Sequence, residues 1–119
     1  MPKMKFKKNY NFMDASPLYP LEKVRFIIKD ACQLDIAYAY DDLVFAEHGV
    51  FLLQFMNPEG TQLACWFNNE TTESDEVRIF DSLVRTASLN DCSITFKGHF
   101  SMEQKAGTDE IDIKFVDFA

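Results

Sequence analysis

Residues 21–40 read LEKVRFIIKDACQLDIAYAY, and the hydrophobic period changes inside them. Leu21, Val24, Ile27, Ile28, Ala31 and Leu34 recur three and four apart, the spacing of one helix stripe. Glu22, Arg25, Lys29 and Gln33 take the other side, and Pro20 suits a first helical position, where its missing N–H costs nothing. After Asp35 the period falls to two. Ile36, Tyr38 and Tyr40 alternate with Ala37 and Ala39, as in a strand. One residue breaks the helical stripe: Phe26 falls among the charged side chains.

Downstream, Asp41-Asp42 turns the chain, Leu43 to Glu47 is a second strand, and His48-Gly49 is a second turn. Phe51, Leu53 and Phe55 line one face of a third strand. Asn57-Pro58-Glu59-Gly60 is a turn, with Pro pre-setting φ and Gly closing it. In the fourth strand Leu63, Cys65 and Phe67 share a face, with Ala64 and Trp66 opposite. Thr72 caps a second helix whose stripe is Val77, Phe80, Leu83, Val84 and Ala87, with Glu73, Asp75 and Glu76 complementing its dipole. Asn90-Asp91 ends it. Ile94, Phe96, Phe100 and Met102 then alternate with Thr95, Lys97, His99 and Ser101. A loop over Lys105–Asp109 and a strand through Ile111, Ile113 and Phe115 complete the chain, leaving Phe118 out of register.

The expected fold is therefore α+β, in the order α-β-β-β-β-α-β-β: an antiparallel meander of about five to six strands with two amphipathic helices on one face. Residues 20–119 form a single domain, a size at which one core suffices. Residues 1–19 precede it. There Met4, Phe6, Tyr10 and Phe12 alternate with lysines and asparagines, either as an edge strand guarded by charge or as a loose basic arm.

The formal charge is −7, unevenly spread. Lys3, Lys5, Lys7 and Lys8 are four of the 12 basic residues, so the rest of the chain sets eight against 19 acids. An acidic body disfavours nucleic acid and anionic lipid as partners. It suits a basic protein partner, or serves solubility alone. No stretch approaches the ~20 apolar residues of a membrane span. The basic start has no apolar core run and is not read as a secretory signal. Cys32, Cys65 and Cys92 are an odd number without a CxxC, which favours reduced thiols and a cytoplasmic location.

No cofactor, metal site or catalytic set is expected. His48 and His99 could join Cys65 or Cys92 around zinc only if the fold gathered them, since no ligand spacing occurs. Cys32 and Cys65 lie on apolar faces and read as small hydrophobes. Each of the four glycines is isolated, and no phosphate loop or nucleophile elbow is present. Three aromatics stand apart as binding candidates. Phe26 is on the wrong helix face. Trp66 is on the sheet face away from Leu63 and Phe67. Phe118 reads better as local packing. For Trp66, partner binding and local packing stand as equal readings.

Leu34 to Phe55, LDIAYAYDDLVFAEHGVFLLQF, resembles the helix end and first hairpins of the type III secretion chaperone-like fold, including YbjN-like proteins. The resemblance covers about residues 20–118 and rests on element order and an acidic body. It implies a small binding protein, often dimeric, with no catalytic residues to carry over. The lysine-rich start and the lack of a third helical stripe depart from that group.

The function expected is a non-enzymatic protein-binding or chaperone-like module that uses an exposed sheet face. Trp66 and Phe26 would meet a protein partner or a second copy. The alternative is a small-molecule-binding domain or small enzyme with a pocket between sheet and helices. Its polar groups would come from Tyr38, Tyr40, His99 or the Asp41/Asp42 turn.

Overall fold

The computed structural model describes residues 3–7, 19–104, 107 and 110–117. Tyr10, Phe12 and Phe118 lie outside the described residues, as does most of the Lys105–Asp109 loop. The elements run β1 (Lys3–Lys7), α1 (Leu21–Cys32), β2 (Ile36–Tyr40), β3 (Leu43–Ala46), a short 3-10 turn (Glu47–Gly49), β4 (Phe51–Phe55), β5 (Gln62–Asn68), α2 (Glu73–Ser88), β6 (Ser93–Gln104) and β7 (Glu110–Asp117). They form one α+β layer pair. Among the described residues the sheet has seven strands, in the order β1-β7-β6-β5-β4-β3-β2.

Local chemistry accounts for the element ends. Pro20 stands at the cap of α1, one position before the helix begins, and Gln33 closes α1 in the left-handed region with φ 64°. Thr72 caps α2 by accepting from the Asp75 N–H at 3.3 Å, as its spacing predicts. Between β4 and β5 the Gly60 N–H donates to the Asn57 carbonyl at 3.2 Å. Asn57 also locks the turn through its side chain, donating to Thr61 Oγ1 at 2.7 Å and accepting from the Thr61 N–H at 3.0 Å. Gly60 has φ +73°, and a Cβ there would meet Pro20 Cγ at 2.4 Å. Only glycine lets this turn pass under the start of α1.

Both helices lie on one sheet face, as expected. Val24, Ile27 and Ile28 of α1 and Leu83 and Ala87 of α2 share a core with Val44, Phe51, Leu53, Leu63, Cys65, Phe67 and Ile94. Ser82 Oγ ties the helices together by donating to the Ala31 carbonyl at 2.8 Å. Val77, expected in the α2 stripe, is 66% exposed. The first turns of α2 use Ile79 and Phe80 against the core instead.

Neighbouring strands run antiparallel in every pair but one, and β1 pairs with β7 rather than with a strand next to it in sequence. β5 and β6 run parallel, because α2 carries the chain back across the layer before β6 begins. Two register shifts then change which side chains face the helices. In β2, Ile36 pairs with Ala46 and Tyr38 with Phe45, so Ala37 is an extra residue. Ile36 and Ala39 therefore join the helix-side core, while Tyr38 and Tyr40 pack on the other face. In β6, Cys65 pairs with Phe96 and Trp66 with Gly98, so Lys97 is the extra residue. Gly98, at φ 149°, supplies the backbone freedom. Phe96 stays with the helices, but Phe100 and Met102 cross to the second face.

That second face was expected to be open. Instead Leu43, Phe45, Leu52, Trp66, Phe100, Ile113 and Phe115 form a second buried cluster. The sheet curls about it. Phe115 of β7 reaches Trp66 of β5 across β6, with ring centroids 4.8 Å apart.

Candidate functional site

Because the second sheet face is a core, the exposed chemistry lies on the helix layer and its margins. Three surfaces there carry candidate residues.

The first is a shallow apolar hollow of about 280 Å³ beside α2, lined by Phe67, Val77, Phe80, Phe96 and Glu76. Phe80 stands edge-on to Phe96 at 6.0 Å, and Phe67 lies 6.4 Å from each of them. At its margin His99 Nε2 is 3.0 Å from both Glu76 carboxylate oxygens. The β6 bulge makes this contact. Without the extra residue His99 would project from the face that holds Trp66. Glu73 and Asp81 stand one turn either side of Val77. The hollow is thus an apolar floor on a helix flank rich in acids.

The second surface surrounds Phe26, which is 56% exposed as its helix position predicts. Glu22, Arg25, Lys29 and Asp35 share a shallow depression with it. Arg25 grips Asp35 through two bonds, Nε to Oδ1 at 3.0 Å and Nη2 to Oδ2 at 3.3 Å. Asp35 Oδ1 also accepts from the Ile36 N–H at 2.7 Å. The Arg25 bond first, then the Ile36 N–H, hold the Asp35 carboxyl below its ordinary range. This clamp fixes the link from α1 to β2.

The third is a cleft of about 500 Å³ between the end of α1 and the start of α2. Thr71, Thr72, Asp75, Arg78 and Ser82 give it polar walls, with Cys32, Leu34 and Ile79 beneath. Arg78 pairs with Asp75 at 3.0 Å. Burial pushes the Cys32 thiol up to about 11, so it is neutral at physiological pH and a poor nucleophile there. Burial likewise raises Cys65 and Cys92.

The residues singled out in the sequence fare differently. Trp66, expected on an open sheet face, is 7% exposed within the second core. There it packs edge-on to Phe115. The polar residues expected for a pocket do not line the cleft. Tyr38 and Tyr40 face the second core, His99 joins Glu76, and Asp42 accepts from Gln54 Nε2 at 3.0 Å in the β2–β3 turn. His48 is exposed in the 3-10 turn. Among the described residues no three His, Cys, Asp or Glu side chains gather as a metal-ligand set. Among them, too, no helix is long and apolar enough to cross a membrane. Val77 was missed because its spacing fits the stripe.

Compared with protein-family models, curated proteins and solved structures, the chain matches none.

Proposed function

We propose that the chain is a non-enzymatic protein-binding module whose contact surface is the α2 flank around Val77, rather than the sheet. The observation that carries this reading is the apolar hollow of Val77, Phe80, Phe96 and Phe67, open beside Glu76. Leaving such a floor in water costs free energy that a partner recovers on docking. Glu73, Glu76 and Asp81 around it fit a partner segment with an apolar anchor flanked by Lys or Arg, or the same chemistry on a second copy. Phe26 is a second contact on α1. Three free thiols suit a reducing, cytoplasmic setting. The element order supports kinship with the chaperone-like fold group, whose members are small acidic binding proteins.

The test is affinity capture from the native cell with sedimentation of the pure protein at rising concentration. The wild type is expected to retain a partner or to self-associate. Val77→Lys is expected to lose that association at unchanged Tm. A wild type that stays monomeric and retains nothing contradicts the reading, as does a Val77→Lys chain that associates like the wild type.

The cleft supports a second reading, a small-molecule site between the helices. Its volume falls in the range of ligand pockets, and Thr71, Thr72, Asp75, Arg78 and Ser82 supply polar walls. A ligand screen by thermal shift tests it. A hit that loses its effect in Ser82→Leu supports the cleft, and no hit from a broad metabolite set counts against it.

A further inference from the structure

The Val77 hollow has hydrocarbon walls and one charge. Phe67, Phe80 and Phe96 crowd together there, with ring centroids 6.0–6.4 Å apart and Phe80 edge-on to both of the others. Phe80 and Phe96 are half-buried, so part of each ring meets water. Glu76 is the one polar residue of the lining, and no Lys or Arg among the described residues lines it. The Glu76 carboxylate is mostly buried, and His99 Nε2, 3.0 Å from both its oxygens, fixes it beside the rings.

We propose that this hollow receives the trimethylammonium head of a methylated lysine on a partner protein, a proposal that rests on the protein-binding reading above. Aromatic rings attract a cation within about 6 Å through the negative charge of their faces, and Glu76 adds a carboxylate beside them. Glu73, one helical turn before Val77, has the same sign. These charges favour a cation over a neutral apolar side chain. The lack of acceptors decides which cation. A lysine ammonium brings three N–H donors and an arginine guanidinium brings five. In the hollow either would meet hydrocarbon on most sides, with Glu76 alone in the lining to accept. Each donor left unpaired there costs free energy. A trimethylammonium has no N–H, and its methyl groups pack against Val77, Phe80 and Phe96 as hydrocarbon does. The hollow is shallow, so a free ion would stay largely in water. A side chain gains the rest of its contact from the protein that carries it.

The probe is a short peptide with one trimethyl-lysine, titrated into the whole chain and followed by the Val77 methyl signals in ¹H–¹³C NMR. Its controls are the unmodified lysine peptide, the peptide with the neutral tert-butyl isostere of trimethyl-lysine, and free choline. The expected result is a saturable shift of the Val77 methyls, with the trimethyl-lysine peptide bound ~tenfold more tightly than each control. Glu76→Gln, which keeps the size and a hydrogen-bonding group for His99, is expected to remove that advantage and leave binding of the tert-butyl peptide unchanged. Equal affinity for the tert-butyl peptide overturns the proposal, because the hollow is then an apolar contact alone. Equal affinity for the unmodified peptide or for choline overturns it too, as does a trimethyl-lysine peptide that gives no saturable shift. Should Glu76→Gln fail to fold, the wild-type peptide series decides alone. If the peptide fails while Val77 is still needed for partner capture or self-association, only the methylated lysine is ruled out. If capture and association are absent as well, the protein-binding reading falls with it.

Discussion

Phe45 on β3 and Phe100 on β6 meet edge to face, with 6.3 Å between ring centroids and 82° between planes, although β4 and β5 separate their strands. On a flat sheet three strand spacings would hold them roughly 14 Å apart. Curling closes that gap and turns the face away from the helices into a second core. The two bulges feed it. One sends Tyr38 and Tyr40 to that face, the other Phe100 and Met102.

Phe100→Ala is accordingly expected to cost ~3–5 kcal/mol, the loss of a buried ring plus a cavity. In a double-mutant cycle Phe45→Ala and Phe100→Ala should couple by about 0.5–1.5 kcal/mol. Denaturant melts of the two single variants and the double variant check this. A zero coupling would separate the rings and flatten the sheet.

Phe26→Ala should change stability by no more than about 0.5 kcal/mol, because the ring stands among Glu22, Arg25 and Lys29 on the outer helix face. Its neighbour Ile27, fully buried, should lose ~2–5 kcal/mol on the same change. Partner binding or self-association, where present, is expected to weaken in Phe26→Ala. A dilute Phe26→Ala chain as destabilised as Ile27→Ala would place Phe26 in the core.

Much of this arrangement was legible in the sequence. The stripe Val24, Ile27, Ile28 placed α1 and left Phe26 outside it, and Thr72 marked the start of α2. What period-two reading cannot carry is a bulge. Ile36, Tyr38 and Tyr40 look like one face, as do Ile94, Phe96, Phe100 and Met102. One inserted residue in each strand divides them between two cores. Gly98 was the available signal in β6, since an isolated glycine inside a strand pattern points to a bulge. Ala37 offered none. The burial of Trp66 followed from the same omission, because an open second face presumed a flat sheet.

Gly60→Ala tests the turn beneath α1. The new Cβ would sit in left-handed backbone and press on the Pro20 ring, which cannot swing aside. The backbone cost alone is about 1–2 kcal/mol, and the contact adds to it. Thermal melts should show a lower Tm for Gly60→Ala and a smaller change for Gly107→Ala, where no atom lies within 4 Å of the new Cβ. Equal losses would mean that the contact with Pro20 contributes nothing.

Acid should loosen the clamp between α1 and β2. The Asp35 carboxyl lies below its ordinary value of 3.8 through its bond to Arg25, then through the Ile36 N–H. A depressed carboxyl contributes stability that is fully present above that ordinary value and lost as pH falls through the lowered one. Asp75, held down by Arg78 and Thr72, adds to the same window. Between pH 7 and roughly pH 2 the wild type should therefore lose more stability than Asp35→Asn, measured by urea melts across the range. Parallel curves for the two proteins would show that the clamp is not linked to folding.

The most direct measurement of the second core uses the chain's one Trp. With Trp66 buried beside Phe115, its emission should be blue-shifted and nearly insensitive to acrylamide, and it should become quenchable only as the protein unfolds in denaturant. Red-shifted emission with efficient quenching in the native protein would mean an open sheet face and would contradict the account.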